Sequence, residues 1–196
     1  MPTALCKWCL PLVASLWLVG CSDQNWRTTD ISEIMPRLDF TLVDENAETV
    51  QAEQYLGKPT VLYFGYTHCP DVCPSTLSRL SAATRRLDEA LRDELQVLFV
   101  SVDPTRDTPE VMDRYTEAFG PQFIGLTGDT ARLDALTNRY RVSYEYGDGF
   151  PDASYDVTHS SAVFAFDRQG QARLLIRDSD PLDNVVADLR RLAAQG

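Results

Sequence analysis

From residue 36 onward, apolar positions recur with two alternating periods. "LDFTLV" (38–43) alternates in steps of two and runs into the turn-prone Asp44-Glu45-Asn46, which predicts an opening β-hairpin. "TVLYFGY" (60–66) and "LQVLFVSV" (95–102) are unbroken apolar runs with β-branched and aromatic residues, the pattern of strands buried on both faces. Between them Leu77, Leu80, Thr84, Leu87 and Leu91 return every three or four residues, which places one apolar stripe on a helix from about Pro74 to Leu95. "TPEVMDRYTEAFG" (108–120) reads as a helix with Thr108 as N-cap, Pro109 in its first position and Gly120 as its stop. "QFIGLT" is a short strand, and Asp129 caps a helix through Tyr140. "SAVFAFD" (161–167) and "ARLLIR" (172–177) flank Arg168-Gln169-Gly170-Gln171 as a hairpin, and "PLDNVVADLRRLAAQ" closes the chain as an amphipathic helix. This order predicts an α/β sandwich with a central mixed sheet flanked by helices and an N-terminal hairpin. It also puts the loop after Tyr66 at the carboxyl end of a central strand, where ligands of open α/β sheets gather.

The first 35 residues follow a different pattern. Residues 1–20 carry one cation, Lys7, and then the apolar stretch Leu10 to Val19, interrupted only by Pro11 and Ser15. That stretch is short for a bilayer span and has the length of an export-signal core. It ends in Leu18-Val19-Gly20-Cys21, which resembles a bacterial lipobox, in which the cysteine is acylated and becomes the mature N-terminus. The expected organisation is a lipoprotein signal peptide at 1–20, lipidated Cys21 with a polar, aperiodic tether at 21–35, and a folded domain at 36–196. The chain is then anchored to the cell membrane by lipid and faces the periplasm or the cell exterior. An ordinary signal peptide cut nearby, or an uncleaved anchor, would export the domain equally. Cys6 and Cys9 have redox-motif spacing but fall inside the leader, so no function is assigned to them.

A chain of 196 residues with 44% hydrophobic content suits one domain with a full core. The net charge of −11 excludes nucleic acid as a partner, because phosphate binding needs clustered Lys and Arg. Cations or basic surfaces fit the charge better.

Once the leader is removed and Cys21 acylated, the free thiols are Cys69 and Cys73, in "FGYTHCPDVCP" (64–74). Pro74 must lie in the first turn of its helix, so Cys73 is expected at or just before the helix start, where exposed backbone N–H groups favour thiolate. Asp71 opposes that by repelling a neighbouring negative charge. Residues four apart on a helical turn have Cα atoms about 6 Å apart, within reach of a disulfide. A purely structural disulfide here would close only a tiny loop and stabilise little, which favours a reactive or ligating pair. The histidines are His68 and His159. His159 lies just before a buried strand, so its imidazole reaches the thiols if that strand neighbours the one before the cysteines. Two thiolates and an imidazole form a soft donor set that selects copper or zinc; structural zinc wants four ligands, whereas Cu(I) accepts three. His68 is read as a loop side chain, and Met112, at core spacing, as packing.

"GKPTVLYFGYTHCPDVCPSTL", "VLFVSVDPTRDTPEVMDRYTEAFG", "FIGLTG" and "YDVTHSSAVFAFDRQG" together resemble the Sco/SenC family of copper-binding, thioredoxin-like proteins from about Leu38 to the end. The resemblance implies that Cys69, Cys73 and His159 bind one copper ion, Cu(I) or Cu(II), and that the two thiols can cycle through a disulfide. It also implies a role in assembling the dinuclear copper centre of cytochrome c oxidase. That role is either to hand copper to the copper-accepting subunit or to keep the cysteines of that centre reduced, with other periplasmic copper chaperones or thiol reductants as further partners. Thr158 stands where some relatives have Asp, which removes an oxygen ligand from that position. Asp156 is then the expected partner for the imidazole's second nitrogen. Asp103, Arg106 and Asp107 in "DPTRDTP" match the family and are assigned to loop and helix-start structure.

Three functions compete. A copper metallochaperone, which is not an enzyme, needs all three ligands. A thiol–disulfide reductase needs only Cys69 and Cys73. A peroxidase of the peroxiredoxin type is disfavoured, because Tyr66 and Pro70 stand three residues before the cysteines, where such enzymes place Thr or Ser.

Overall fold

The computed structural model describes residues 26–152 and 155–195. The leader at 1–20 and Cys21 lie outside the described residues. Strands are β1 (Thr29–Asp30), β2 (Thr41–Asp44), β3 (Thr49–Gln51), β4 (Thr60–Gly65), β5 (Gln96–Ser101), β6 (Phe123–Thr127), β7 (Tyr144–Tyr146), β8 (Val157–His159), β9 (Val163–Phe166) and β10 (Ala172–Ile176). Helices are α1 (Val72–Arg85), α2 (Glu89–Glu94), α3 (Pro109–Glu117), α4 (Thr130–Arg139) and α5 (Leu182–Ala194).

Among the described residues the main sheet has the order β1-β10-β9-β4-β5-β6-β2-β3. The strands β4, β5 and β6 run parallel, and β9 lies antiparallel on the other side of β4. Every residue of β4 and β5 is buried. This is why both segments read as continuous apolar runs: helical crossovers leave a central parallel strand with no wet face. The hairpin β2–β3 joins the far side of β6 in antiparallel register, Val43 opposite Thr127. The expected α/β sandwich with a mixed sheet and an opening hairpin is therefore what the chain forms, and the carboxyl end of β4 leads directly into the cysteine loop.

Two expectations are corrected. The helix expected from Pro74 to Leu95 is two helices. The N–H groups of Arg86 and Leu87 bond three residues back, to Ala83 and Thr84, which tightens and ends α1; Asp88 is extended and begins α2 by accepting from Arg92 N–H. Leu87 remains buried, so the apolar stripe continues across a break that hydrophobic period alone cannot reveal.

The second correction concerns the tether at 21–35, whose described part, 26–35, is docked on the domain. Thr29 and Asp30 pair with Leu175 and Leu174 of β10, and Ile31 is buried. The backbone N–H groups of Arg27 and Thr28 and the Thr28 hydroxyl all donate to buried Asp188 of α5. The Arg191 guanidinium lies 4.5 Å from the Trp26 ring centre. The folded part thus begins before Pro36. The segment caps a sheet edge mainly through main-chain bonds, and such bonds leave no periodic trace in a sequence.

The pair β7–β8 forms a separate two-stranded sheet with Tyr144 opposite His159 and Tyr146 opposite Val157. No hydrogen-bonded ladder links it to the eight-stranded sheet among the described residues.

Candidate metal centre

The cysteine loop is fixed from both ends. Cys69 N–H donates to the Tyr66 carbonyl at 3.3 Å, and Ser75 N–H donates to the Asp71 carbonyl at 3.1 Å as α1 begins. Asp107, fully buried, accepts from Thr67 N–H at 2.8 Å, from the Thr67 hydroxyl at 2.6 Å and from the Ser101 hydroxyl at 2.5 Å. Cys73 is the second residue of α1, at the helix start as expected, and Pro74 follows within the first turn, where a missing N–H costs nothing. Cys73 N–H points back to Cys69 Sγ at 3.4 Å. Both cysteines are free thiols; Cys69 is 8% exposed and Cys73 not at all.

The end of β8 brings His159 Nε2 to 3.1 Å from Cys73 Sγ. The two sulfurs and one imidazole nitrogen lie within 4.8 Å of one another. The ring meets Tyr63 and Tyr66 edge-on, with centroid separations of 6.2 and 5.9 Å. His159 Nδ1 lies 3.0 Å from the Ser160 carbonyl oxygen. A carbonyl can only accept, so Nδ1 carries the proton and the Nε2 lone pair faces the sulfurs. Burial holds the His159 pKa below the usual 6.5, which keeps the ring neutral. Burial also pushes the Cys73 thiol from 9.0 to about 12, with backbone and Tyr63 hydrogen bonds only partly opposing it. Both shifts favour a protonated Cys73 thiol facing a neutral His159 Nε2, and Cys73 Sγ also accepts from the Tyr63 hydroxyl at 3.6 Å.

Cys69, Cys73 and His159 come together as expected, and the other expectations divide. Asp156 is exposed, and the position beside Nδ1 belongs to the Ser160 carbonyl, because the residue following the ligand turns its own backbone onto the ring. Asp71 is exposed too, and burial rather than its charge raises Cys73. Cys73 N–H donates to Cys69 Sγ, and at Cys73 the backbone hydrogen bond that favours thiolate is outweighed by burial. Thr158 is exposed on β8 and opposite Glu145, so strand alternation directs it away from the thiols. His68 lies outside the cluster, with Nδ1 3.1 Å from the Thr67 hydroxyl and its side chain half exposed. Met112 is fully buried in the core. Sequence reasoning missed Tyr63 and Gly65. Tyr63 shows as a phenol inside an apolar strand, and Gly65 as a glycine at the strand end: a Cβ there would sit 2.6 Å from Cys73 Sγ.

A family model described as SCO1/SenC matches residues 32–194. The chain belongs to the SCO1/SenC family. The SCO2-like protein of Rickettsia felis is 37% identical over 134 residues, which make up 68% of this chain and 65% of that protein. The chain thus spans slightly less than two thirds of that relative's length. The solution structure of apo Sco1 from Thermus thermophilus is 35% identical, covers 87% of this chain and 99% of its own, and superposes with a TM-score of 0.76. The copper-bound ScoI of Bradyrhizobium japonicum is also 35% identical, with coverages of 80% and 98% and a TM-score of 0.69. The thioredoxin-like sandwich of this Sco/SenC chain is thus a fold shared with solved relatives.

Proposed function

We propose that this chain carries one copper ion on Cys69, Cys73 and His159 and delivers it to the copper-accepting subunit of cytochrome c oxidase, for assembly of the dinuclear copper centre. The observation that carries this reading is the donor set: two thiol sulfurs and an imidazole lone pair within 4.8 Å. Soft sulfur and nitrogen donors, three in number, suit Cu(I) better than a structural zinc site, and family membership and a copper-bound relative support the same metal. The Ser160 carbonyl orients the imidazole, and loss of the Cys73 proton supplies the charge that retains the cation. Burial of Cys73 leaves Cys69 and His159 as the side from which copper enters and from which an acceptor thiolate can displace it.

The adjacent free thiols support a second reading, a reductase that keeps the acceptor's cysteines reduced. The two separate on His159→Ala. A carrier loses tight copper binding, measured by competition with a chromophoric Cu(I) chelator, while thiol–disulfide exchange persists. Wild-type copper affinity in that variant overturns the three-ligand carrier.

The same proposal places the domain on the cell membrane through lipid on Cys21, facing the periplasm or exterior, with copper chaperones or thiol reductants as further partners. Its support is the apolar run before Leu18-Val19-Gly20-Cys21. No helix among the described residues is long and apolar enough to cross a membrane. Mass spectrometry of the membrane fraction should find an acylated N-terminal Cys21; an unmodified mature N-terminus elsewhere would refute the lipid anchor.

A further inference from the structure

The geometry points to Arg106 as the residue that holds His159 in coordinating position. It does so by clamping the small β7–β8 sheet onto the segment that also fixes the cysteine loop. This inference rests on the three-ligand copper reading above.

His159 is carried by a sheet with no ladder to the main one among the described residues, so side chains must seat it. The connection to β9 limits where the residue lies and leaves the direction of the ring to its packing. The seat is built from residues 102–106. Arg106 Nη1 donates to the Tyr155 carbonyl at 2.8 Å, two residues before β8, and its guanidinium carbon lies 3.7 Å from the Tyr155 ring centre. Arg106 Nε donates to Asp103 Oδ2, and the Tyr155 hydroxyl donates to Asp103 Oδ1, each at 2.5 Å. Both rungs of the clamp therefore end on one fully buried carboxylate. The Tyr146 hydroxyl adds a bond to the Val102 carbonyl at 2.8 Å. Arg106 also lies 5.6 Å from the ring of Tyr66, whose hydroxyl accepts from Val157 N–H and whose ring stands edge-on to His159.

An ion pair between a buried carboxylate and a largely covered guanidinium adds little net stability, because desolvation offsets the attraction; its recognised use is to fix one arrangement among several. Here it fixes the hairpin, while Asp107, the next residue, fixes Thr67 two positions before Cys69. One short segment therefore sets the spacing between the two halves of the metal site. The planar guanidinium matters because Lys can supply the charge opposite Asp103 but not the fork and stacking together.

The test is a double-mutant cycle on the purified full chain with Arg106→Met, His159→Ala and both, measured by Cu(I) competition and by the Cu(II)–thiolate absorption band. Arg106→Met should weaken Cu(I) binding about 10- to 100-fold, the range for residues that orient a metal ligand, and should add nothing once His159 is gone. In the metal-free variant the Val157 amide should exchange with solvent faster than in wild type, reporting the hairpin directly. Wild-type affinity with wild-type exchange, or an equal loss with and without His159, overturns the inference. If Arg106→Met does not fold, Arg106→Lys enters the same cycle, with the same losses expected and wild-type binding again overturning it. If His159→Ala itself keeps wild-type affinity, the copper reading fails, and amide exchange alone still decides whether Arg106 seats the hairpin.

Discussion

Gly65→Ala tests the packing of the metal centre with a single methyl group. The added carbon would lie 2.6 Å from Cys73 Sγ and 2.8 Å from Phe99 Cε2. Atoms in ordinary contact sit about 3.5–4.0 Å apart, so both the sulfur and the ring must retreat, each by about 1 Å. Phe99 is fully buried and packs against Tyr63 at a centroid separation of 5.9 Å, so it has little room to move. Cys73, on the first turn of α1, must give as well. Overpacking of this kind costs about 1–3 kcal/mol. A sulfur displaced this far no longer meets the other two donors in the same geometry, so copper binding should also weaken, by about tenfold or more, the range for residues that orient a metal ligand. Urea unfolding of the metal-free variant should show a lower midpoint with an unchanged m-value, and Cu(I) competition should show the affinity loss. In a Cys73→Ala background the sulfur contact disappears and the ring contact remains, so the stability cost of the glycine substitution should shrink without vanishing. A variant matching wild type in both midpoint and affinity, or an undiminished cost in the Cys73→Ala background, would show that Gly65 is not packed against the Cys73 sulfur.

Copper affinity should rise with pH, because ligation displaces the Cys73 proton; with that thiol raised to about 12, the rise should continue above pH 9, where an ordinary thiol would level off. By the same linkage, the unfolded thiol ionises first, so the metal-free fold is fully favoured below about pH 9 and loses stability as pH climbs towards 12. Leveling of a competition titration at pH 9 would contradict both statements. Asp188→Ala should remove the acceptor for Arg27, Thr28 and the Thr28 hydroxyl, costing about 2 kcal/mol and speeding exchange of the Ile31 amide, which bonds the Arg173 carbonyl. Unchanged protection of that amide would show that the N-terminal segment is held by something else.

The central strands were legible in the chain, because a segment buried on both faces must be almost continuously apolar, and β4 and β5 are, apart from Thr60 and the ends of β5 at Gln96 and Ser101. So were the start of α3 at Pro109, the cap of α4, where Asp129 accepts from Arg132 N–H, and the soft donors at Cys69 and Cys73. Periodicity did not distinguish one helix from two across Leu87, since the stripe survives the break. Nor did it show that residues 26–31 belong to the fold, since main-chain pairing on β10 is indifferent to side chains.

The distance from His159 to the thiols was decided only in three dimensions. Cys73 and His159 lie 86 positions apart in the chain, and a sheet that pairs β4 with β9, together with a hairpin seated on residues 102–106, closes that gap to 3.1 Å. The protonation of the site was decided there too. Exposed, the helix start would have favoured a thiolate at Cys73; buried beneath Tyr63 and beside Gly65, the sulfur keeps its proton, because removing water costs the charged form more than nearby dipoles return.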